Sequence, residues 1–250
     1  MTRSASARRV FLSIPLPSEG DALRLDGPDH HHLTRVLRLD AGAALLLVDS
    51  DGWAAEAEII EVRKRELRLR LSPRQRLPAP PLPRLSLLHG VARGGRSELV
   101  LQKATELGVD RLCPVLCDRS VARPREAESK RVRWLEVVRQ AARQSERTRL
   151  PEVSAPQPLS EALMVARGRR ELRLVAALGG QPLSSHVEPL REAEAVTLLV
   201  GPEGGLTENE VALARREGFA PVSLGPQVLR SETAALTLLA LVAFASGRLD

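Results

Sequence analysis

The segment VGPEGGLTENE, residues 200–210, begins with a short loop, GPEGG, that combines three glycines, a proline and the acidic side chain of Glu203. Gly201, Gly204 and Gly205 permit positive backbone φ and a close approach of the chain to a bound molecule. The carboxylate of Glu203 repels phosphate but accepts hydrogen bonds from a ligand amine, amide or imide. The loop therefore predicts a binding site for a ligand that carries hydrogen-bond donors.

This loop differs from the two common nucleotide-binding loops. It lacks the Lys-Ser/Thr ending of a P-loop, and it lacks the spacing and the downstream acidic residue of a dinucleotide fingerprint. A nucleotide-dependent oxidoreductase on a doubly wound sheet is therefore disfavoured.

A second loop of similar design follows at residues 226–230, PQVLR, again between a short apolar run and a helix start. Arg230 ends this loop, and Ser231 offers a hydroxyl that can cap the next helix. Two such loops at the carboxyl ends of neighbouring parallel strands form the crevice where open α/β sheets bind ligands. Ordinary tight turns are the alternative, since glycine and proline mark turns of every kind. A glutamate and an arginine within the pair favour a site.

Local patterns predict the elements that hold both loops. Residues 196–200 are apolar and β-branched, as in a strand buried on both faces. Thr207 and Glu210 have the spacing of a capping box for a helix that begins near Glu208. Residues 222–225, VSLG, predict a second short strand. The predicted order is strand, loop, helix, repeated once.

Strands and helices also alternate upstream of the first loop. LSLLHGVA, RLCPVLC and LRLVAAL predict buried strands. SELVLQKATELG predicts a helix with Ser97 as its cap and Gly108 as its stop, and residues 129–146 predict a longer helix. This alternation predicts an α/β fold with a mainly parallel sheet and helices on its faces.

The N-terminal part of the chain is β-patterned instead. ALLLVDS, WAAEAEII and ELRLRLS predict strands, and Asp51-Gly52 predicts a hairpin turn between the first two. Prolines punctuate residues 73–83, as is typical of a semi-rigid linker. The predicted organisation is a small β-barrel at residues 1–72, a linker at 73–83 and an α/β domain at 84–250.

Basic residues outnumber acidic ones, which gives a formal net charge of +6 and a pI near 10.4. This excess predicts a polyanionic partner such as RNA. Arg35 and Arg38 would share one face of a helix and offer a two-pronged phosphate contact. The arginine-rich segment at residues 139–149 would contact a phosphate backbone. Solvated surface arginines are the alternative in both cases.

The cysteine, histidine and hydropathy patterns argue against a metalloprotein, a secreted protein and a membrane protein. Cys113 and Cys117 lack a nearby His or Cys to complete a metal set, so structural thiols in a reducing compartment are favoured. Three adjacent histidines at residues 30–32 cannot all face one metal, which favours an exposed or half-buried loop and no metal. A membrane span and a secretory signal are not recognisable, so a cytoplasmic location is expected.

Five segments together resemble the RsmE family of 16S ribosomal RNA uridine methyltransferases, in the SPOUT superfamily: HHLTRVLRL, KATELGV, RQAARQSERTR, VGPEGGLTENE and LGPQVLRSETAAL. They cover almost the whole chain, and the last two are the most specific. The resemblance implies a PUA-like RNA-binding β-barrel at the N-terminus. It also implies a SPOUT-type, trefoil-knotted, mainly parallel sheet with helices on both faces. S-adenosylmethionine as cofactor, small-subunit ribosomal RNA as partner and a homodimer follow from the same resemblance.

The resemblance also implies which residues form the site. The chemistry of the implied reaction, rather than the resemblance itself, makes Arg230 a candidate to stabilise negative charge on the uracil or hold its phosphate, and Glu203 a candidate to accept the N3 proton or orient the base. The implied cofactor-binding residues are Leu178, Gly201, Glu203, Gly204, Gly205, Leu224, Gly225, Val228, Leu229 and Thr233. The implied RNA-binding residues are Arg35, Arg38, Arg119, Arg123, Arg143 and Gln144. The chain departs from the family pattern at Arg93, often lysine, and at Glu146, commonly glycine.

The implied reaction is methyl transfer from S-adenosylmethionine to N3 of a uridine in 16S ribosomal RNA. Because N3 lies on the pairing edge of the base, the target uridine must be unpaired when it reacts. A noncatalytic RNA-binding or ribosome assembly factor is the alternative, since it would use the same basic surfaces without a shaped cofactor cavity.

Overall fold

The computed structural model describes residues 8–12, 14–18, 22–120, 127–164, 168 and 170–249. The chain forms two compact units, one of Met1–Ala79 with Glu146–Leu150 and one of Pro80–Ser145 with Pro151–Asp250. The sequence-based division had placed residues 146–150 with the second part of the chain. Within the described residues, no helix combines the length and the apolar character needed to cross a bilayer.

The first unit is built on one sheet. Its strands are β1 (Arg8–Phe11), β2 (Ala22–Leu25), β3 (Ala44–Val48), β4 (Trp53–Val62), β5 (Leu67–Leu71) and β6 (Gln75–Arg76). They pair in the order β1-β3-β4-β5-β2, with β6 added to β4. The predicted hairpin between β3 and β4 is confirmed, since these strands are antiparallel and Gly52 at their turn has a φ of 83°. Alternate residues of the strands fill a common core, as expected for a sheet with one buried face.

The histidine run is helical, so the prediction of a loop is wrong. Helix α1 (Gly27–His31) continues as a π-helix over His32–Val36. His30 is buried, and its Nε2 lies 3.0 Å from the carbonyl oxygen of Arg63. Within the described residues, no group of three or more His, Cys, Asp or Glu side chains is arranged to hold a metal.

Arg35 and Arg38 do not share a helix face, contrary to the prediction. The Leu37 N–H donates to the carbonyl of His32 at 3.0 Å and ends the helix. Arg38 then adopts a left-handed conformation with a φ of 52°. Both arginines are exposed, but the turn between them breaks the spacing that a helical pair requires.

Backbone carbonyls attach residues 146–150 to the first unit. The guanidinium of Arg9 donates to the carbonyls of Glu146 and Arg147, the latter at 2.8 Å. Arg149 donates to the carbonyl of Leu77 at 3.0 Å. Glu146 has a φ of 53°, a conformation that glycine adopts without strain and that other residues adopt rarely.

The second unit has a parallel sheet crossed by helices. Its elements are β7 (Arg84–Gly90), α2 (Arg96–Glu106), β8 (Arg111–Leu116), α3 (Ala127–Gln144), β9 (Glu152–Val153), β10 (Gln157–Pro158), α4 (Leu159–Leu163), β11 (Glu171–Pro182), α5 (Val187–Glu192), β12 (Ala195–Val200), α6 (Glu208–Arg216), β13 (Ala220–Ser223) and α7 (Ser231–Ala245). A short 3-10 helix, Leu183–His186, follows β11. The strand order is β10-β8-β7-β12-β11-β13, with β9 paired to β8, and every pair is parallel.

Helices cover both faces of this sheet, as predicted. Helices α2 and α7 pack on each other and α7 packs on β7 and β12, while α4 and α6 form a separate layer against β8, β11 and β13. Leu88, Val175 and Leu199 belong to the core beneath α4 and α6. Because successive strand residues point to opposite faces, Leu87 and Leu198 fill the other layer.

Two predicted helix signals are confirmed at the residues that carry them. The Thr207 hydroxyl accepts from the Glu210 N–H at 3.3 Å, and the Glu210 carboxylate accepts from the Thr207 N–H at 2.7 Å. This is the predicted capping box, and it starts α6 at Glu208. Gly108 follows the end of α2 with a φ of 88°, as a C-terminal stop requires.

The two predicted serine caps are wrong. Ser97 lies inside α2, which begins after Gly95, and its hydroxyl accepts from the Ala92 N–H at 2.9 Å. Ser231 is likewise the first residue of α7, and the N-cap position belongs to Arg230. Both hydroxyls therefore bond to other segments of the chain and do not cap their own helices.

Candidate functional site

A cavity of about 700 Å³ opens at the carboxyl ends of three strands of the second unit. Its walls come mainly from residues 176–178 of β11, residues 200–206 after β12 and residues 222–229 after β13. These ends meet at one edge because the strands are parallel. Both loops singled out from the sequence therefore face one cavity.

The two loops do not follow neighbouring strands, contrary to the prediction. Strand β11 lies between β12 and β13, so its residues 176–178 form a third wall. The register of β11 against β13 shifts between Ala176 and Gln181. Leu178 lies in this irregular stretch, and 79% of its surface is exposed. Chain order does not report sheet order, which is why this wall was missed.

Glycines are required where backbones meet around the cavity. A Cβ at Gly201 would lie 2.9 Å from the Leu206 nitrogen, so the loop folds back on its own first residue. A Cβ at Gly180 would lie 2.7 Å from the Val222 nitrogen, where β11 passes β13. Gly205 has a φ of 70°, which only glycine adopts readily. The path of the backbone around the cavity therefore requires glycine at these positions.

Glu203 is fixed by donors at the start of α2. Its Oε1 accepts from the Arg93 N–H and from Nη1 of Arg96, both at 2.9 Å. Partial burial raises the pKa of Glu203, but the hydrogen bonds from the backbone and from Arg96 outweigh it and hold the pKa below its usual range. A carboxylate with a lowered pKa is a weaker base. This arrangement favours an orienting role for Glu203 over the role of proton acceptor.

A buried histidine that no sequence motif indicates connects the sheet to both loops. His89, near the end of β7, has its Nε2 3.0 Å from the Ser231 hydroxyl oxygen. That hydroxyl also donates to the carbonyl of Gly201 at 2.5 Å. The available signal was one titratable side chain in the apolar run LSLLHGV.

Burial lowers the pKa of His89 to about 4, although the carboxylates of Glu203 and Glu232 act in the opposite direction. The imidazole is therefore neutral near neutral pH. An unfolded histidine takes up a proton near pH 6.5, whereas the folded one resists until about pH 4. The contribution of His89 to stability is thus complete above about pH 6.5 and is lost as the pH falls towards 4.

This pKa predicts a pH-dependent difference between wild type and His89→Gln, which has no titrating ring. Between about pH 6 and pH 5, the unfolding free energy of the wild type should fall by about 1 kcal/mol more than that of the variant. Urea denaturation at several pH values measures this difference. Parallel curves for the two proteins would show that His89 is not held neutral.

Nine of the predicted cofactor-binding residues line the cavity: Leu178, Gly201, Glu203, Gly204, Gly205, Leu224, Gly225, Val228 and Leu229. Thr233 is exposed on α7 and is not among the lining residues. The lining residues that the sequence did not indicate as part of a binding site include Ala176, Ala177, Leu206, Val211, Arg215 and Ser231. Most of them lie on β11 or on the two helices after the loops.

Arg230 lies between two residues that line the cavity, Leu229 and Ser231. It occupies the N-cap position of α7, and its carbonyl accepts from the Ala234 N–H at 2.8 Å. Its side chain is exposed, and within the described residues its guanidinium has no hydrogen bond or ion pair. This guanidinium is available to a ligand at the rim of the cavity.

The predicted RNA-binding residues fall in different surroundings. Arg119 lines the cavity and donates to the carbonyl of Gly204 at 2.9 Å. Arg143 pairs with Glu136 at 3.1 Å and leaves 19% of its side chain exposed. Arg119 and Gln144 in the second unit and Arg35 and Arg38 in the first are exposed. Arg123 lies outside the described residues.

The cavity wall combines apolar side chains with glycine backbone. Leu178, Leu224, Val228 and Leu229 offer apolar surface, and the loop backbones offer hydrogen-bond donors and acceptors at their edges. Such a lining suits a flat heteroaromatic ring, with its faces against aliphatic groups and its edge against peptide groups.

Comparison with known proteins shows that this chain is similar to RNA methyltransferases. The family model described as an RNA methyltransferase domain matches residues 79–243, and that of an RNA methyltransferase PUA domain matches residues 25–72. A protein of Mycobacterium tuberculosis named ribosomal RNA small subunit methyltransferase E is 34% identical over 251 residues, which cover 96% of this chain and 93% of the relative. A Synechocystis protein of the same name is 34% identical over 84% of this chain and 69% of the relative.

Solved structures are similar over nearly the full chain. A ribosomal RNA small subunit methyltransferase E from Neisseria gonorrhoeae, bound to S-adenosyl methionine, has a TM-score of 0.83 and 28% identity, with 96% of this chain and 98% of that chain covered. A Legionella pneumophila protein in complex with the cofactor SAM has a TM-score of 0.85 and 29% identity, with the same coverage.

Proposed function

We propose that this chain, which belongs to the ribosomal RNA small subunit methyltransferase E family, methylates N3 of a uridine in 16S ribosomal RNA. S-adenosylmethionine is the methyl donor. The observation that carries the proposal is the single cavity that both glycine-containing loops enclose. The position of the methyl group on the base is the part of this proposal that rests on the family resemblance.

The residues around the cavity fit this cofactor. Gly201 lines the cavity and leaves no space for a Cβ, so backbone forms the wall where a ring edge needs peptide donors and acceptors. Leu224, Val228 and Leu229 supply apolar surface for an adenine face. When bound, S-adenosylmethionine supplies an electrophilic methyl group on its sulfonium sulfur.

The first task of the chain is alignment. Rate enhancement from orientation is largest when the reacting atoms are held about 3 to 3.5 Å apart. The Glu203 contacts with Arg93 and Arg96 fix the first loop, so one wall of the cavity is already set before ligands bind. A preformed wall reduces the entropy that is lost when the uridine and the cofactor are brought together.

The second task is to stabilise charge on the uracil. N3–H is a poor nucleophile until its proton leaves, and negative charge then spreads to the neighbouring carbonyl oxygens. The free guanidinium of Arg230 is placed to donate hydrogen bonds to these oxygens or to the phosphate of the nucleotide. Glu203 orients the base through a carboxylate that is already held by Arg96.

The RNA partner and a second copy of the chain complete the proposed assembly. The exposed arginines Arg35 and Arg38 and the net charge of +6 suit a phosphate backbone. Helix α7 exposes 72% of Phe244 and 45% of Leu241, an apolar surface that suits a homodimer contact. Because the substrate is part of the ribosome, we place the reaction in the cytoplasm.

Methyl mapping tests the proposed reaction directly. We expect purified protein and labelled S-adenosylmethionine to add one methyl group to N3 of one uridine in unmodified small subunits. Mapping of the modified nucleotide by mass spectrometry identifies both the base and the atom. Label on another base, or on another atom of uracil, would contradict the N3 assignment and leave the RNA methyltransferase activity in place.

A noncatalytic assembly factor is the rival function for the same basic surfaces. It would bind small subunits without needing the cavity. Calorimetric titration with S-adenosylmethionine separates the two, because a methyltransferase binds the cofactor with a defined stoichiometry and an RNA-binding factor does not.

A further inference from the structure

Three polar groups connect the sheet with both cavity loops. His89 is buried near the end of β7, the Gly201 carbonyl begins the first loop, and Ser231 follows the second loop at the start of α7. The ring Nε2 lies 3.0 Å from the Ser231 hydroxyl oxygen, and that hydroxyl lies 2.5 Å from the Gly201 carbonyl oxygen. Their distance in the chain, residues 89, 201 and 231, means that the tertiary fold brings them together.

The chemistry of the groups sets the direction of each hydrogen bond. The Gly201 carbonyl only accepts, so the single hydroxyl hydrogen of Ser231 points to it. The Ser231 oxygen must then accept from His89, which requires the tautomer with its hydrogen on Nε2. The chain of donors runs from His89 to Ser231 to Gly201. A neutral ring matches this tautomer.

We propose that His89 and Ser231 are positioning residues that lock the two cofactor loops in one relative arrangement through the Gly201 carbonyl. This inference rests on the proposed function, because it assigns a role in shaping the site of the methyl donor. Neither residue acts on the reacting atoms. Each acts through the peptide groups that form the cavity wall.

The packing around these groups explains why the arrangement is sensitive. A Cβ at Gly90, next to His89, would lie 2.3 Å from the Pro202 nitrogen, so the end of β7 directly supports the first loop. Ser231 does not cap α7, and its hydroxyl serves the link between the loops instead. A buried hydroxyl or carbonyl that loses its partner pays a desolvation cost, so removal of one member disturbs the others.

A second connection lies beside the first and carries charge. Nη1 of Arg96 contacts Glu203 at 2.9 Å, and Nε of Arg96 lies 3.7 Å from Glu232 in the first turn of α7. This ion-pair group also connects the first loop with α7, but its arginine is 44% exposed. Because exposed ion pairs contribute little, we assign the link between the first loop and α7 mainly to the buried hydrogen bonds, while the Arg93 N–H holds Glu203 and the first loop against the residues before α2.

Four single variants and one double variant test the proposal. We expect Ser231→Ala and His89→Leu to weaken S-adenosylmethionine binding, measured by calorimetry, by roughly 3- to 10-fold each. Because they break the same chain of hydrogen bonds, the double variant should lose about as much as one single variant. His89→Gln and Ser231→Thr keep the donor and the hydroxyl, so they should recover most of the affinity.

A readout without cofactor distinguishes positioning from general stability. Amide hydrogen exchange of residues 201–206 and of the first turn of α7 should increase in Ser231→Ala, while exchange in β8 and α3 stays at the wild-type rate. If the two single losses add, or if folded Ser231→Ala binds the cofactor as tightly as wild type, the proposal is overturned. If His89→Leu does not fold, the affinities of Ser231→Ala and Ser231→Thr still test the positioning role.

Failure of the proposed function gives a different result. If wild-type protein itself does not bind S-adenosylmethionine, the function is wrong and the variants have no affinity to lose. If wild type binds and all variants bind equally, only the positioning role is refuted.

Discussion

Replacement of Arg230 by alanine should lower the rate of methyl transfer at saturating S-adenosylmethionine by about 100- to 1000-fold, as expected when one preorganised donor to developing charge is lost. The dissociation constant of the cofactor should stay within about twofold, because Arg230 is not among the residues that line the cavity. Single-turnover kinetics on small subunits measures the first quantity, and calorimetry without RNA measures the second.

A matched variant controls for the loss of one positive charge. Arg216, at the end of α6, is exposed like Arg230 and is not among the cavity residues. Arg216→Ala removes the same charge and should leave the rate near the wild-type value. Arg230→Lys should recover only part of the rate, because lysine keeps the charge without the planar fork of donors. An unchanged rate in Arg230→Ala would remove this residue from the mechanism.

Local signals predicted the elements around the site well. The capping box of Thr207 and Glu210 and the stop at Gly108 use contacts between residues that are close in the chain. Alternating strands and helices predicted the parallel sheet for the same reason, because each unit shows its own periodicity. The family resemblance added the cavity residues, since nine of the ten it implied line one space.

Contacts between distant segments were not predictable in this way. The hydroxyl of Ser231 is expected to cap its own helix, but it donates to the Gly201 carbonyl, 30 residues earlier in the chain. The same ambiguity exists over a short distance at Ser97, whose hydroxyl accepts from the Ala92 N–H just before its helix. From a serine before a helical pattern, the sequence does not show whether the hydroxyl will bond to the N–H groups of its own helix or to a group elsewhere in the chain. The position of β11 between β12 and β13 was also not predictable, because strand pairing depends on the path of the chain between the strands.

Two further features depend on backbone conformation. The left-handed residue Arg38 lies inside a segment that reads as helical, and left-handed Glu146 is the last residue of the predicted longer helix; no glycine marks either position. Neither break had a local signal, so the arginine pair and the return of residues 146–150 to the first unit were both missed. The role of His89 was not predictable, because the sequence does not show which hydrogen-bond partner a polar residue in an apolar strand will have.

Replacement of Gly201 by alanine should weaken S-adenosylmethionine binding by about 100-fold, close to the upper end of ordinary overpacking costs. The new methyl group would lie 2.9 Å from the Leu206 nitrogen and 3.0 Å from the Gly205 carbonyl carbon. Both are backbone atoms of the same loop, so no side-chain rotation relieves the contact and the loop itself must open. Calorimetry measures the dissociation constant, and thermal melting without cofactor shows whether the variant is folded.

Gly168→Ala is the matched control for this change. A Cβ at Gly168 would lie 3.8 Å from the Glu171 side chain, an ordinary van der Waals distance, and the residue is not among those that line the cavity. This variant should bind the cofactor as the wild type does. Equal affinity in a folded Gly201→Ala would mean that the ligand does not depend on the close return of residues 201–206. The cavity at the ends of β11, β12 and β13 would then no longer account for cofactor binding.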